Sequence, residues 1–198
     1  LSLLKKSANN LLISSGLLFL LINLNLNDFY NWVNLTGYTK ALDVVFIISF
    51  GKLFSMSMGC LNNIITNSKY YHYVFWFSTA SAVLAVLLNI YFIQLYGIIG
   101  AAYATLIVIV LINLMKILLV QLTFNINPFG KKTILILLAI FGVYLIFSYI
   151  NFDFSPFISL LLRSLLIGLV FTLISYLLKL TGDFQDFLSN FLIFKKKS

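Results

Sequence analysis

Glutamate is absent from this 198-residue chain, and charge of either sign is scarce. Only 9% of residues are charged, against about 25% in an average soluble domain. The five acids are all aspartate: Asp28, Asp43, Asp153, Asp183 and Asp186. With 62% hydrophobic residues and a mean hydropathy of +1.05, the chain has too few charges to build a water-facing surface. Most of it must face lipid or other apolar helices. Cys60 is the single cysteine and His72 the single histidine. An intrachain disulfide is therefore excluded, and Cys60 has no partner for a metal site. Set in an apolar run, it reads as a small buried hydrophobe. No phosphate-binding glycine loop is present, which argues against ATP-driven transport by this chain. No metal and no cofactor is expected.

The net charge of +8 does not indicate nucleic acid. A nucleic-acid binder clusters its basic residues on a soluble face, whereas here they fall at the ends of apolar runs. A spanning helix needs roughly 20 mostly apolar residues. About six such runs occur, near residues 8–26, 41–65, 72–94, 98–122, 133–150 and 156–178. The fold class expected is therefore all-α, a polytopic membrane helix bundle.

Orientation follows from the short loops. Lys5 and Lys6 precede the first run, Lys69 and His72 separate the second and third, and Lys131 and Lys132 separate the fourth and fifth. Lys179 and Lys195 to Lys197 follow the sixth. The alternate loops carry only Lys40, with Asp28, Asp43 and Asp153. This alternation places both ends in the cytoplasm by the positive-inside rule. The aromatic stretch Phe29-Tyr30-Asn31-Trp32 is expected as a loop at the opposite interface.

Residues 1–182 are expected to form the bundle and 183–198 a basic tail. In that tail Phe184, Phe187, Leu188 and Phe191 recur at helical spacing. This fits either an amphipathic helix on the inner membrane surface, with its lysines against anionic lipid, or a packed terminal helix. The chain opens on Leu1 rather than Met, with no signal-peptide pattern before the first run. It is expected to be the C-terminal part of a longer protein, ending naturally at Lys195 to Lys197.

The strongest local pattern runs from Asn89 through Tyr96-Gly97 to Gly100-Ala101-Ala102 and Ala104-Thr105. Two helices meet there at a tight turn, and Gly97, Gly100, Ala101 and Ala104 then recur at i, i+3, i+4 and i+7. One helix face carries no bulk, so another helix can approach closely, which is how membrane helices associate. These residues resemble the polysaccharide biosynthesis or O-antigen flippase family of the multidrug/oligosaccharidyl-lipid/polysaccharide exporter superfamily. Its members carry an Asn, an Ile-Pro turn ending in Gly, and then Gly-Ala-Ala with Ala-Thr. Ser68-Lys69-Tyr70-Tyr71 looks like the inner loop of the same unit. Gln94-Leu95 stands where the family usually shows Ile-Pro.

The resemblance covers residues 41–122 by motif and the remainder by helix spacing. It implies a MATE-like C-terminal bundle around a central cavity, with alternating access. It also implies a bacterial inner-membrane flippase for an undecaprenyl-pyrophosphate-linked oligosaccharide. Its partners would be that lipid, the membrane lipid, and the polysaccharide polymerase and glycosyltransferases.

Three cations lie inside the apolar runs: Lys52, Lys116 and Arg163. A cation at a helix centre costs about 2.5–3.5 kcal/mol to insert. Lys52, near the middle of its run, is expected to face the cavity and meet the pyrophosphate. Lys116 and Arg163 lie nearer helix ends, where they can snorkel or join the site. Asn89, Asn113, Ser55, Ser57, Ser78, Ser81 and Thr105 could hydrogen-bond sugars. Other classes remain open. An ion-coupled drug exporter of the same superfamily would need a mid-membrane carboxylate, a lipid II flippase fits an anionic substrate equally well, and a membrane glycosyltransferase would need a catalytic carboxylate such as Asp28 or Asp43.

Overall fold

Within a bilayer every backbone N–H and C=O must be satisfied internally, and a helix does this within one segment. The computed structural model describes residues 2–34, 39–150, 152, 154–178 and 180, and among these it is all-helical, with no strand. Seven helices follow in order: α1 (Ser2–Trp32), α2 (Thr39–Met56), α3 (Leu61–Thr66), α4 (His72–Tyr96), α5 (Ile98–Phe124), α6 (Lys131–Ser148) and α7 (Pro156–Leu177). Five of them, α1, α4, α5, α6 and α7, are long and apolar enough to cross a membrane. The chain is a multi-pass membrane protein. The tail from 183 to 198 lies outside the described residues.

The burial pattern of α7 shows how the bundle is organised. Ser159, Arg163, Ile167, Phe171 and Ser175, spaced by four, are buried. Leu165, Leu169 and Leu173 on the other side are 57–60% exposed. Such a leucine stripe has no place on a water-soluble surface, but it suits lipid. The inward face mixes Ser159, Arg163 and Ser175 with Ile167 and Phe171, whereas the outward stripe is leucine.

α1 is the hub, packing against α2, α6 and α7, while α5 joins α2 and α3 to α4. One apolar cluster gathers Leu12 and Leu20 of α1 with Ile136 and Ile140 of α6 and Ile167 and Phe171 of α7. A second gathers Leu4, Leu61, Ile65, Ile117 and Val120 near the lysine-bearing end. There Thr133 Oγ1 accepts the Gly130 N–H at 3.1 Å and donates to Asn9 Oδ1 at 3.1 Å. These bonds fix the start of α6 on α1. α4 buries no residue of its own and is held through the α4–α5 hairpin and α3.

Two expectations about helix limits are corrected. The run 41–65 is not one helix: it breaks at residues 57–60, between α2 and α3. Gly59 turns the chain at φ +62°, and a Cβ there would meet the Ala8 backbone nitrogen at 2.5 Å. The break is thus built by close approach to α1. α2 alone is about 27 Å long. Second, α1 runs beyond 8–26 to Trp32, so the expected loop Phe29–Trp32 is its last turn. At 31 residues, α1 is about 46 Å long and exceeds the ~30 Å hydrocarbon core. The Trp32 ring packs 5.2 Å from that of Phe157, at the start of α7.

The tight turn between α4 and α5 is present. Gly97 adopts φ +61°, ψ −136°, a region L side chains avoid, and its N–H donates to Ile93 O at 2.9 Å. Along the small-residue face, Gly100 and Ala104 are buried, Ala101 is half-buried and Gly97 is exposed. A Cβ on Gly100 would collide with the Phe92 carbonyl of α4.

Candidate functional site

Lys52 is carried on α2, four residues before the helix ends at Met56. The break after α2 therefore moves it away from the expected middle of a longer span. Lys52 lines a groove of about 420 Å³ between α1 and α2, with Ser15, Leu18, Phe19 and Ile22 on one wall and Val45, Ile48, Ser49, Leu53 and Met56 on the other. Ser15 and Ser49 are the other polar residues of the groove. Among the described residues Lys52 has no hydrogen bond or ion pair. Lys52 is exposed at the open side of this groove, and where that side faces lipid an unpaired cation is costly unless a ligand supplies the counter-charge.

Arg163 stands in the opposite situation. Its Nη1 lies 3.0 Å from Asp28 Oδ2 and donates to Leu24 O at 2.8 Å. Its Nη2 donates to Ile150 O at 2.9 Å, and its guanidinium lies 5.6 Å from the Phe152 ring centre. The charge is already neutralised and both terminal nitrogens are engaged, while the buried Nε has no hydrogen-bond partner. Asp28, expected in an outer loop, sits inside α1 because its counter-ion is there.

The remaining sequence-nominated residues are dispersed. Lys116 and Asn113 are half-buried on α5. Asn89, on α4, donates to its own Ala85 O at 2.7 Å and borders a shallow concavity formed by α4 residues alone. Ser57, Ser78 and Thr105 bond to Phe54, Val74 and Ala101 carbonyls within their own segments. No described cavity brings Lys52, Lys116, Asn89, Asn113 and Arg163 together.

What sequence reading missed lies on α1. Ser15 shares the Lys52 groove. Asn23 Nδ2 donates to Ser49 Oγ at 2.9 Å and to Phe19 O at 2.8 Å, which ties α1 to α2. Beside this bond the rings of Phe19, Phe46 and Tyr144 form a triangle with centroids 5.7, 6.0 and 6.1 Å apart. Phe46 and Tyr144 line a second cleft of about 330 Å³ with Asn23, Leu26, Asn27, Leu42 and Asp43. The visible signal was the run of asparagines at 23, 25 and 27, unusual inside an apolar segment.

Compared with protein-family models, curated proteins and solved structures, the chain matches none of them.

Proposed function

We propose that this chain belongs to a flippase that moves a lipid-linked oligosaccharide between membrane leaflets, with Lys52 meeting the anionic pyrophosphate. The observation that carries the reading is the exposed, unpartnered Lys52 ammonium in a largely apolar groove. A lipid-pyrophosphate combines what that groove selects for, an anion joined to a hydrocarbon tail. Opposite charges about 4 Å apart attract by about 4 kcal/mol at an effective dielectric constant of about 20. That exceeds the ~2.5–3.5 kcal/mol cost of placing the cation within the membrane, so a bound anion offsets the charge.

The rest of the reading follows from the resemblance in Asn89 to Thr105. The lipid carrier is undecaprenyl pyrophosphate and the setting is the bacterial inner membrane; α2 crosses it as a sixth span beside the five longer helices, which puts both chain ends in the cytoplasm. The partners are the polysaccharide polymerase and glycosyltransferases of surface polysaccharide assembly.

The test is transport of a fluorescent undecaprenyl-pyrophosphate saccharide by the protein in reconstituted vesicles. Lys52→Ala should slow transport by up to about a thousandfold, the ~4 kcal/mol scale of one lost ion pair, while Lys52→Arg keeps most of it. Unimpaired transport by correctly inserted Lys52→Ala would refute the reading.

A further inference from the structure

We propose that the second cleft, bounded by α1, α2 and α6, is a saccharide-binding subsite. Unlike the Lys52 groove, its lining is more polar than apolar. Three elements contribute: Asn23 and Asn27 from α1, Asp43 and Phe46 from α2, and Tyr144 from α6.

The available atoms match a polyol. Asp43 and Asn27 are exposed, and among the described residues neither they nor the Tyr144 hydroxyl has a hydrogen bond or ion pair. Asn23 commits its Nδ2 to Phe19 O and Ser49 Oγ, which orients the amide and leaves Oδ1 to accept. The cleft therefore presents a carboxylate and a carbonyl that accept, an amide that accepts and donates, and a hydroxyl that does both. A sugar needs this mixture, because each of its hydroxyls both donates and accepts. Vicinal hydroxyls can donate to the two Asp43 oxygens in charge-assisted bonds. The polarised C–H groups on the apolar face of a pyranose suit the negative π faces of Phe46 and Tyr144.

Size separates this ligand from a metal ion. A volume of about 330 Å³ falls at the lower end of the ~300–1,000 Å³ of small-molecule sites. A hard cation such as calcium would require oxygens drawn to about 2.3–2.6 Å of one point. An organic cation would favour a mainly apolar pocket. Asp43 and Lys52 stand on the same helix, about 14 Å apart along its axis. The subsite is argued from its lining alone, but its role as the sugar end of the transported lipid rests on the proposed function.

The experiment is saturation-transfer NMR on the whole protein in phosphocholine-detergent micelles, with N-acetylglucosamine and maltose as probes. Transfer to the sugar ring protons is expected. Asp43→Asn should weaken binding by about tenfold, the effect of losing one charge-assisted hydrogen bond, and Asn27→Ala by about fivefold, that of a neutral one, and both should leave thermal unfolding unchanged. Both positions are exposed, so these variants should fold. Absence of transfer to either sugar would overturn the proposal, as would equal transfer in the variants. Stabilisation by sodium or tetraphenylphosphonium that depends on Asp43, without sugar binding, would also overturn it. Sugar binding with no lipid transport would keep the subsite and remove the flippase reading. Transport without sugar binding would do the reverse.

Discussion

Asp28 and Arg163, from the first and last described helices, meet at 3.0 Å with side chains 19% and 9% exposed. The pair links α1 to α7, and Arg163 extends the link to the carbonyl of Ile150 beyond α6. Removing one partner of a buried pair strands the other charge. Asp28→Asn should cost about 3 kcal/mol, the lower end for such a break because Asp28 is partly exposed. Arg163→Leu should cost more, since it also leaves the Leu24 and Ile150 carbonyls without their donor. The double variant should lose less than the sum. Chemical unfolding in detergent micelles measures all three, and simple additivity would show that the pair contributes nothing.

The hydrogen bond from Asn23 to Ser49 is a separate link between α1 and α2. Interhelical hydrogen bonds in membranes average about 0.6 kcal/mol, with a maximum of about 1.7. A double-mutant cycle of Asn23→Ala and Ser49→Ala should return a coupling in that range. A coupling of zero would remove this bond from the account of how the Lys52 groove is held.

Glycine substitutions should separate contact from conformation. Gly100→Ala drives a methyl into the Phe92 carbonyl and should open the α4–α5 hairpin. Gly97→Ala meets nothing within 4 Å and is penalised only by its positive φ, about 1–3 kcal/mol. Gly142→Ala and Gly168→Ala also meet nothing within 4 Å. As helix-interior positions they should gain up to about 1 kcal/mol. Melting temperatures should therefore rank Gly100→Ala lowest and the last two highest.

Gly59→Ala combines a positive φ with a methyl against the Ala8 backbone. It should release α3 from the start of α1. Protease sensitivity between residues 56 and 61 would rise, whereas an unchanged digestion pattern would mean that the break survives without this contact.

Membrane character and most spans were legible because lipid selects for composition over long runs. α4 through α7 fall within a few residues of the expected limits. The break at 57–60 was not legible. Ser57, Met58, Gly59 and Cys60 are as small or apolar as their neighbours, and what bends them is Ala8, far away in the chain. The same physics hid the ion pair. Asp28 looked like a loop acid because a lone carboxylate belongs outside the hydrocarbon, and only Arg163 brings it into α1. Lys52 was legible as an unusual cation, whereas Asp43, Asn27 and Tyr144 converge from three helices and share no spacing.

The hub position of α1 has a consequence for biosynthesis. α1 carries Asn9 and Asp28, whose partners Thr133 and Arg163 are made more than a hundred residues later. At about 5–20 residues per second, that interval is on the order of ten seconds. Throughout it, the nascent α1 holds a carboxylate whose counter-ion does not yet exist. The ion pair that neutralises this carboxylate forms only when α7 arrives, so α1 is made well before it can take up its final contacts.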